Sequence, residues 1–199
     1  MKPNLRVLLS LVVCTLIFNA RLARAGEGDS LNLNSGNLLF EYVGQVVNGN
    51  PTAVSSKQYG NLQGVTGVDP STPLTFYTEA TTTKTVSNGP LRILDRVGTT
   101  TIYLASAPGD FSNPDSFRSG TAVQVSSLRQ QVVVDTSTGA FSVVNINVIE
   151  HTYVFIAGDS FVRLGRIDGV FRTVLNGHLN SPGLSPSGWF GGYAVGASK

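Results

Sequence analysis

VVVDTSTGAFSVV, residues 132–144, is the clearest hairpin signal in the chain and decides the fold class. Two valine-rich arms flank Thr136-Ser137-Thr138 and Gly139, which fit a type I turn closed by a glycine bulge. The arms extend to about sixteen residues each, or roughly 50 Å at 3.3 Å per residue. Strands of that length in a small domain must bend or change partners. We therefore expect an all-β fold built on a single antiparallel β-barrel, with a two-sheet sandwich or jelly roll as the second choice.

Other segments share the period-2 pattern and the Val, Ile, Thr, Phe and Tyr content of strands, and no stretch keeps a helical period. The predicted strands are 38–47, 52–59, 74–86, 91–97, 100–105, 121–136, 140–156, 160–164 and 170–175. Reversals are predicted at 48–51, 88–90, 168–169 and 176–177, where Asn, Asp, Gly and Pro cluster. Two stretches lack the strand pattern, the loop 107–120 and the Pro/Gly-rich segment 180–192, and such segments often carry function.

The first 25 residues have the pattern of a removable export signal. A basic start, an apolar run over 7–18 and the small-x-small site Ala23-Arg24-Ala25 predict cleavage after Ala25. The protein is then secreted or periplasmic, and residues 26–199 form one domain without a transmembrane span.

Cleavage would also change the composition of the working protein. It would remove Cys14, the one cysteine, so the mature chain is expected to be cysteine-free. It would also remove four of the 14 basic residues, leaving 10 against 12 acidic ones. A faintly acidic chain with scattered charges gives no reason to expect nucleic acid as a partner.

The tripeptide Gly-Asp-Ser occurs at 28–30 and at 158–160, as in the nucleophile block of the GDSL hydrolases. Those enzymes also need an Asp-x-x-His box, but Leu175 stands where that box requires the aspartate before His178. Two turn-forming tripeptides explain the pattern better. With no other catalytic motif, the chain is expected to be a binding protein rather than an enzyme.

Metal-ligating residues are few. His151 and His178 are far apart in sequence, and Asp110, Asn113 and Asp115 lack the spacing of an EF-hand. An Asx-rich turn explains the three oxygen ligands, so neither a metal nor another cofactor is expected.

The predicted strand 140–156 has one face that is apolar at its ends and polar in its middle. In a regular strand this face carries Asn145, Asn147, His151 and Tyr153. A mixed stripe of this kind is typical of a barrel lumen that orients a small amphipathic ligand, so these four residues are the candidate ligand-binding site. Alternatively, the asparagines point to solvent, or a bulge shifts the register and mixes the faces.

Threonines recur at 81, 83 and 85 and at 99 and 101, where each set would project from one face of a strand. Adhesive sheets use such rows, although threonine is also a good strand former. Trp189 and Phe190 could form a sugar platform or strap aromatic rings over a barrel end.

Several short blocks resemble the dirigent proteins and the related allene oxide cyclases. They are LLFEYVGQVVNGNPTAV at 38–54, Asp69 before Pro73-Leu74-Thr75, Ser119-Gly120-Thr121 and VVVDTSTGAF. The resemblance implies an eight-stranded barrel whose lumen guides radical coupling or cyclisation, with Asp69 and Tyr103 as lumenal catalytic residues. The chain departs from the family at Val43-Gly44-Gln45 and at Gly98-Thr99.

Three functions follow from these patterns. The first is an exported, non-catalytic barrel that binds a small, partly apolar ligand or a surface partner. The second is a dirigent-like or cyclase-like barrel, and the third is a structural or adhesive envelope protein. A ligand-sized cavity would favour the first two, and Asp69 and Tyr103 lining that cavity would favour the second over the first.

Overall fold

The hairpin of residues 132–144 forms part of a closed antiparallel barrel in the computed structural model, which describes residues 38–47 and 54–197. The strands are β1 (Leu39–Val47), β2 (Ser55–Gln63), β3 (Leu74–Asn88), β4 (Leu91–Leu104), β5 (Thr121–Asp135), β6 (Ala140–Thr152), β7 (Val154–Ala157), β8 (Ser160–Arg163), β9 (Val170–Leu179) and β10 (Gly188–Ala197). Eight of them pair in the order β1-β2-β3-β4-β5-β6-β9-β10, and β10 closes on β1. The predicted all-β fold and barrel are confirmed.

The β5–β6 turn has the predicted geometry. Gly139 has a φ of 77°, and its N–H donates to the carbonyl of Asp135 at 2.8 Å. Only the second of the long arms changes partners: β5 bonds to β4 and β6 along its length, while the predicted strand 140–156 divides into β6 and β7, and β7 pairs with β8. Register shifts between Ile102 and Tyr103 and between Val125 and Ser126 add the local twist that lets long strands wrap one core.

Several glycines that sequence patterns placed at breaks or in loops lie inside strands. The predicted strands 91–97 and 100–105 are one strand, β4, which passes through Gly98, and the predicted reversal at Gly177 is part of β9. The end of the predicted irregular segment 180–192 belongs to β10. A Cβ on Gly98 would lie 2.0 Å from the carbonyl oxygen of Glu79, and one on Gly177 would lie 2.4 Å from Phe141 Cζ. These glycines therefore allow close packing rather than turns.

The short β7–β8 hairpin packs its apolar side chains onto the barrel core. Phe155, Val162 and Leu164 are buried in the same cluster as the barrel's inner residues. The lumenal Gln124 donates from Nε2 to the carbonyl of Leu164 at 2.8 Å, which fixes the hairpin to β5. This hairpin covers one end of the lumen.

A second apolar cluster lies on the outer face of β2 and β3, beneath the segment that joins β4 to β5. Phe117, in the 3-10 helix Pro114–Arg118, is fully buried against Tyr59 and Tyr77. Its carbonyl accepts from Thr75 Oγ1 at 2.9 Å, and Asn61 Oδ1 accepts from the Gly109 N–H at 2.9 Å. The predicted loop 107–120 is therefore an ordered cap on the barrel wall.

Three turns repeat the pattern Asp-x-Ser, and they make stability sensitive to acid. In each, the serine hydroxyl and backbone N–H donate to the carboxylate of Asp69, Asp110 or Asp135. These bonds lower the pKa of all three carboxyls, the hydroxyl bond acting most at Asp69 and Asp135 and the backbone bond most at Asp110. A lowered native pKa stabilises the fold above the unfolded value of about 3.9, and that stability is lost as pH falls through the native pKa.

We expect the thermal midpoint to fall as pH drops below about 5, and more gently in the triple Asp→Asn variant of these turns. Circular dichroism melts across this pH range measure the slope. Asp159→Asn is the control, because that carboxylate makes no hydrogen bond or ion pair with a described residue. Equal slopes in the native and triple-variant proteins would contradict the prediction.

The predicted export signal, Cys14 and the first Gly-Asp-Ser tripeptide lie outside the described residues. Among the residues that the structure describes, no helix is long and apolar enough to cross a membrane.

Candidate functional site

A row of polar side chains runs along the inner wall of the barrel on five neighbouring strands. Successive register partners on β3, β4, β5, β6 and β9 form this polar belt: Thr82, Arg96, Gln130, Asn145 and Thr173. Arg96 donates from Nε to Thr82 Oγ1 at 3.1 Å and from Nη1 to Gln130 Oε1 at 3.4 Å. Gln130 Nε2 donates in turn to Asn145 Oδ1 at 3.0 Å. The belt is thus a hydrogen-bonded chain from β3 to β6.

Gln58 reaches the polar belt from β2. Its Nε2 donates to Gln130 Oε1 at 3.2 Å, and its Oε1 accepts from Gln130 Nε2 at 3.3 Å. Both glutamines are buried, so the pair joins two walls of the barrel across its interior. Cross-lumen bonds of this kind hold the polar side chains in place.

A cavity lies between the polar belt and the turn of the β5–β6 hairpin. Its polar lining is Gln58 and Arg96, and its apolar ring consists of Val46, Leu94, Val132, Val134, Phe141, Val143, Leu179 and Phe190. The cavity volume is about 20 Å³, which holds one water molecule. The site therefore consists of an apolar ring above a polar floor. In this conformation its cavity has room for one water molecule.

Several polar atoms in the lumen have no hydrogen-bond partner within the described protein. They are both amide atoms of Asn147, the hydroxyl of Thr173 and the hydroxyl of Ser56. Asn147 and Thr173 are 1% and 0% exposed. Leaving a buried polar group unpaired costs about 1–3 kcal/mol, so such groups normally hold an ordered water or a ligand. The lumen can therefore make more hydrogen bonds than its own side chains use.

The structure separates the four candidate residues of strand 140–156 into two pairs. Asn145 and Asn147 face the lumen, whereas His151 is exposed and Tyr153 is 52% exposed. The placement of His151 and Tyr153 on the lumenal face was wrong because Ser126 pairs with Ile149 but Val125 pairs with His151. The extra residue, Glu150, is a bulge that shifts the alternation by one residue, so His151 and Tyr153 face outward.

The two residues that the family resemblance placed in the lumen lie outside it. Asp69 is exposed in the connection between β2 and β3, where it accepts from Ser71. Tyr103 lies on the outer face of β4 and packs against the cluster around Phe117. From these positions neither side chain reaches a molecule in the lumen, so their lumenal placement is corrected.

The second Gly-Asp-Ser tripeptide is a hairpin turn. Ala157 pairs with Ser160, and Gly158 between them has a φ of 60°. His178, the histidine near the C-terminus, points outward and bonds through Nε2 to the carbonyl of Thr138 at 2.7 Å. Gly158 and Asp159 therefore form the turn, and Ser160 is the first residue of β8.

The oxygen ligands of the 107–120 loop serve local structure. Asn113 Oδ1 caps the 3-10 helix by accepting from the N–H of Asp115, and Asp115 pairs with Arg118 at 2.8 Å. Within residues 38–47 and 54–197, no group of three or more His, Cys, Asp or Glu side chains is placed to hold a metal ion.

The threonine row on β3 is interrupted. A bulge between Thr82 and Lys84 leaves Thr81 opposite Val97 on the outer face and Thr85 opposite Leu94, whose side chain faces inward. The expectation that Thr81, Thr83 and Thr85 share one face is therefore wrong. Thr99 and Thr101 do remain on one face of β4.

Two larger grooves lie on the outer surface. One, of about 330 Å³, is bordered by Phe111 and by Trp189, which is 49% exposed, while Phe190 lines the lumen. The other, of about 410 Å³, is bordered by Ile146 between Arg129 and Arg172, which are exposed. The first groove has no charged residue in its lining, whereas the second is lined by Asp95, Arg129 and Arg172 and also by the buried Arg96 and Gln130 of the polar belt.

Four important lumenal residues, Gln58, Arg96, Gln130 and Thr173, were not among the sequence candidates. The predicted hairpin contained a usable signal for one of them, because a register fixed by the 136–139 turn places Gln130 opposite Asn145. Comparison with known proteins finds no family model, curated protein or solved structure that matches the chain.

Proposed function

We propose that this chain is an exported, non-catalytic barrel that binds a small, partly apolar molecule in its lumen. The amphipathic lumen carries the proposal: an apolar ring surrounds a cavity whose floor is Gln58 and Arg96. An interior that served stability alone would be apolar, because buried polar groups cost free energy unless they are fully paired. A few fixed polar groups within an apolar lining are typical of small-molecule sites.

Ligand entry must move side chains. The cavity of about 20 Å³ is far below the roughly 300–1,000 Å³ of typical ligand pockets. Leu179, at the end of β9, is only partly buried and lines the cavity, so it is the side chain best placed to give way. Binding then exchanges contacts within the apolar ring for contacts with the apolar part of the ligand.

The chemistry of the buried groups supports binding over proton transfer. In the part of the chain that the structure describes, the buried polar side chains are amides, hydroxyls and the guanidinium of Arg96. Burial raises the pKa of the Tyr42 phenol far above its ordinary value, so it stays protonated near neutral pH. Such groups orient a molecule by hydrogen bonds.

Binding can be tested with the neutral probe N-phenyl-1-naphthylamine, whose fluorescence rises in apolar surroundings. We expect saturable one-to-one binding to the native protein and roughly tenfold weaker binding to Leu179→Trp, which fills the entrance. Leu184→Trp is the matched control, because Leu184 is 60% exposed and does not line the cavity. Thermal melts of both variants establish that each is folded.

Equal probe affinity in the two variants, or no saturable binding to the native protein, would contradict a lumenal site. Where the probe does bind in the lumen, native mass spectrometry of the protein purified from its own source would identify the natural ligand as a co-purifying mass. The same spectrum tests export, since the expected chain begins at Gly26.

A dirigent-like or cyclase-like function has one supporting observation, the closed eight-stranded barrel that the resemblance implies. Catalysis would then rest on orientation of the substrate by the polar belt, because Asp69 and Tyr103 lie outside the lumen. Conversion of the co-purifying molecule by the purified protein would favour this second function, and its unchanged release would favour binding.

A further inference from the structure

We infer that the lumenal ligand is an organic carboxylate whose head group pairs with Arg96 while its apolar body occupies the ring above. The inference rests on the proposed lumenal site and adds the chemical class of the ligand. The lumen contains a positive charge that no acidic side chain of the described protein balances.

Arg96 is the one charged side chain among the buried residues of 38–47 and 54–197. It is 4% exposed and forms no ion pair, since the two salt bridges of these residues are Lys57–Glu79 and Arg118–Asp115. The neighbouring Asp95 points to the opposite face of β4, as adjacent residues of a strand do. A buried charge without an opposite charge is unusual, because desolvation is not repaid.

The hydrogen bonds of Arg96 leave part of the guanidinium free. Of its five N–H groups, one donates to Thr82 and one to Gln130. The remaining three N–H groups have no acceptor in the described protein. Burial lowers the pKa of Arg96, but a guanidinium remains charged at neutral pH. The lumen therefore presents a fixed cation with unused donors.

The shape of the site favours a compact anion on an apolar body. The planar fork of arginine matches the two oxygens of a carboxylate. Arg96 lines a cavity of about 20 Å³ whose remaining lining is apolar except for Gln58, and it also borders the outer groove of about 410 Å³. Gln58 already bonds to Gln130, so it fixes the floor and leaves the charge of Arg96 to select the head group.

The test compares decanoate with decan-1-ol, which share an alkyl chain and differ in charge, each displacing N-phenyl-1-naphthylamine at pH 7. We expect decanoate to bind the native protein roughly tenfold to a hundredfold more tightly than decan-1-ol. Arg96→Met should remove this preference, so that decanoate and decan-1-ol bind the variant with equal affinity. Arg172→Met, which removes an exposed arginine on the outer face, should keep it.

Equal affinity for the acid and the alcohol, or a preference that survives Arg96→Met, would overturn the inference and leave lumenal binding intact. If neither molecule nor the probe binds, the proposed function itself fails. If Arg96→Met does not fold, the native protein alone tests the pairing. Its affinity for decanoate should fall towards its affinity for decan-1-ol as pH drops through the pKa of the decanoate carboxyl. A pH-independent affinity would count against pairing with Arg96.

Discussion

Gly98→Ala is expected to lower the free energy of unfolding by more than about 3 kcal/mol, although it adds a single methyl group. The new Cβ would lie 2.0 Å from the carbonyl oxygen of Glu79 and 2.7 Å from the Cα of Ala80. Both are backbone atoms of β3, so no side-chain rotation relieves the contact, and the β3–β4 ladder must move apart. Urea unfolding followed by circular dichroism measures the loss.

The matched control is Gly191→Ala on β10, where the nearest atom to a new Cβ is the Tyr42 carbonyl oxygen at 3.6 Å. This variant is expected to equal the native protein or to gain up to about 1 kcal/mol, because alanine restricts the unfolded chain. The two changes are chemically identical, so their difference isolates the close strand contact at Gly98. Stabilities within about 1 kcal/mol of each other would contradict that explanation.

Gly98 also shows where sequence reasoning about this fold stops. The long valine-rich hairpin was enough to predict a barrel, because strands of that length cannot stay flat around a small core. Gly98 looked like a break between two strands, and β10 looked irregular because four of its ten residues are glycine. A single sequence does not distinguish a glycine that turns from one that makes room, since the difference depends on which strand lies beside it.

The residues of the candidate site were only partly predictable from the sequence, because their placement also depends on neighbouring strands. Period-2 alternation placed Asn145 and Asn147 on one face, and both side chains do lie in the lumen. The alternation failed at the next residues because a bulge at Glu150 has no sequence signature of its own. Arg96 was missed because the burial of a charged residue depends on the hydrogen-bond partners that the strand register places beside it, here Thr82 on β3 and Gln130 on β5.

The protein has two separate apolar clusters, one in the lumen and one around Phe117 on the outer face. A substitution in the outer cluster is expected to cause a second large loss of stability. Phe117 is 0% exposed, and its ring centroid lies 5.0 Å from those of Tyr59 and Phe111. Phe117→Ala is expected to remove about 3–5 kcal/mol of local stability, the usual loss for a buried phenylalanine. Because the cluster lies outside the lumen, the loss should release the cap of residues 107–120 while the barrel stays folded.

Limited digestion with trypsin measures this release, since Arg118 lies next to Phe117 and is held by Asp115 at 2.8 Å. Cleavage after Arg118 should become at least tenfold faster in Phe117→Ala, because a loss of about 1.4 kcal/mol already raises the open population tenfold. Phe161→Ala, which truncates a phenylalanine that is 81% exposed, should leave the rate unchanged. Unchanged cleavage in Phe117→Ala would show that the cap is held by its hydrogen bonds to Asn61 and Thr75 instead. A global unfolding transition lowered by the full amount would show that cap and barrel unfold as one unit.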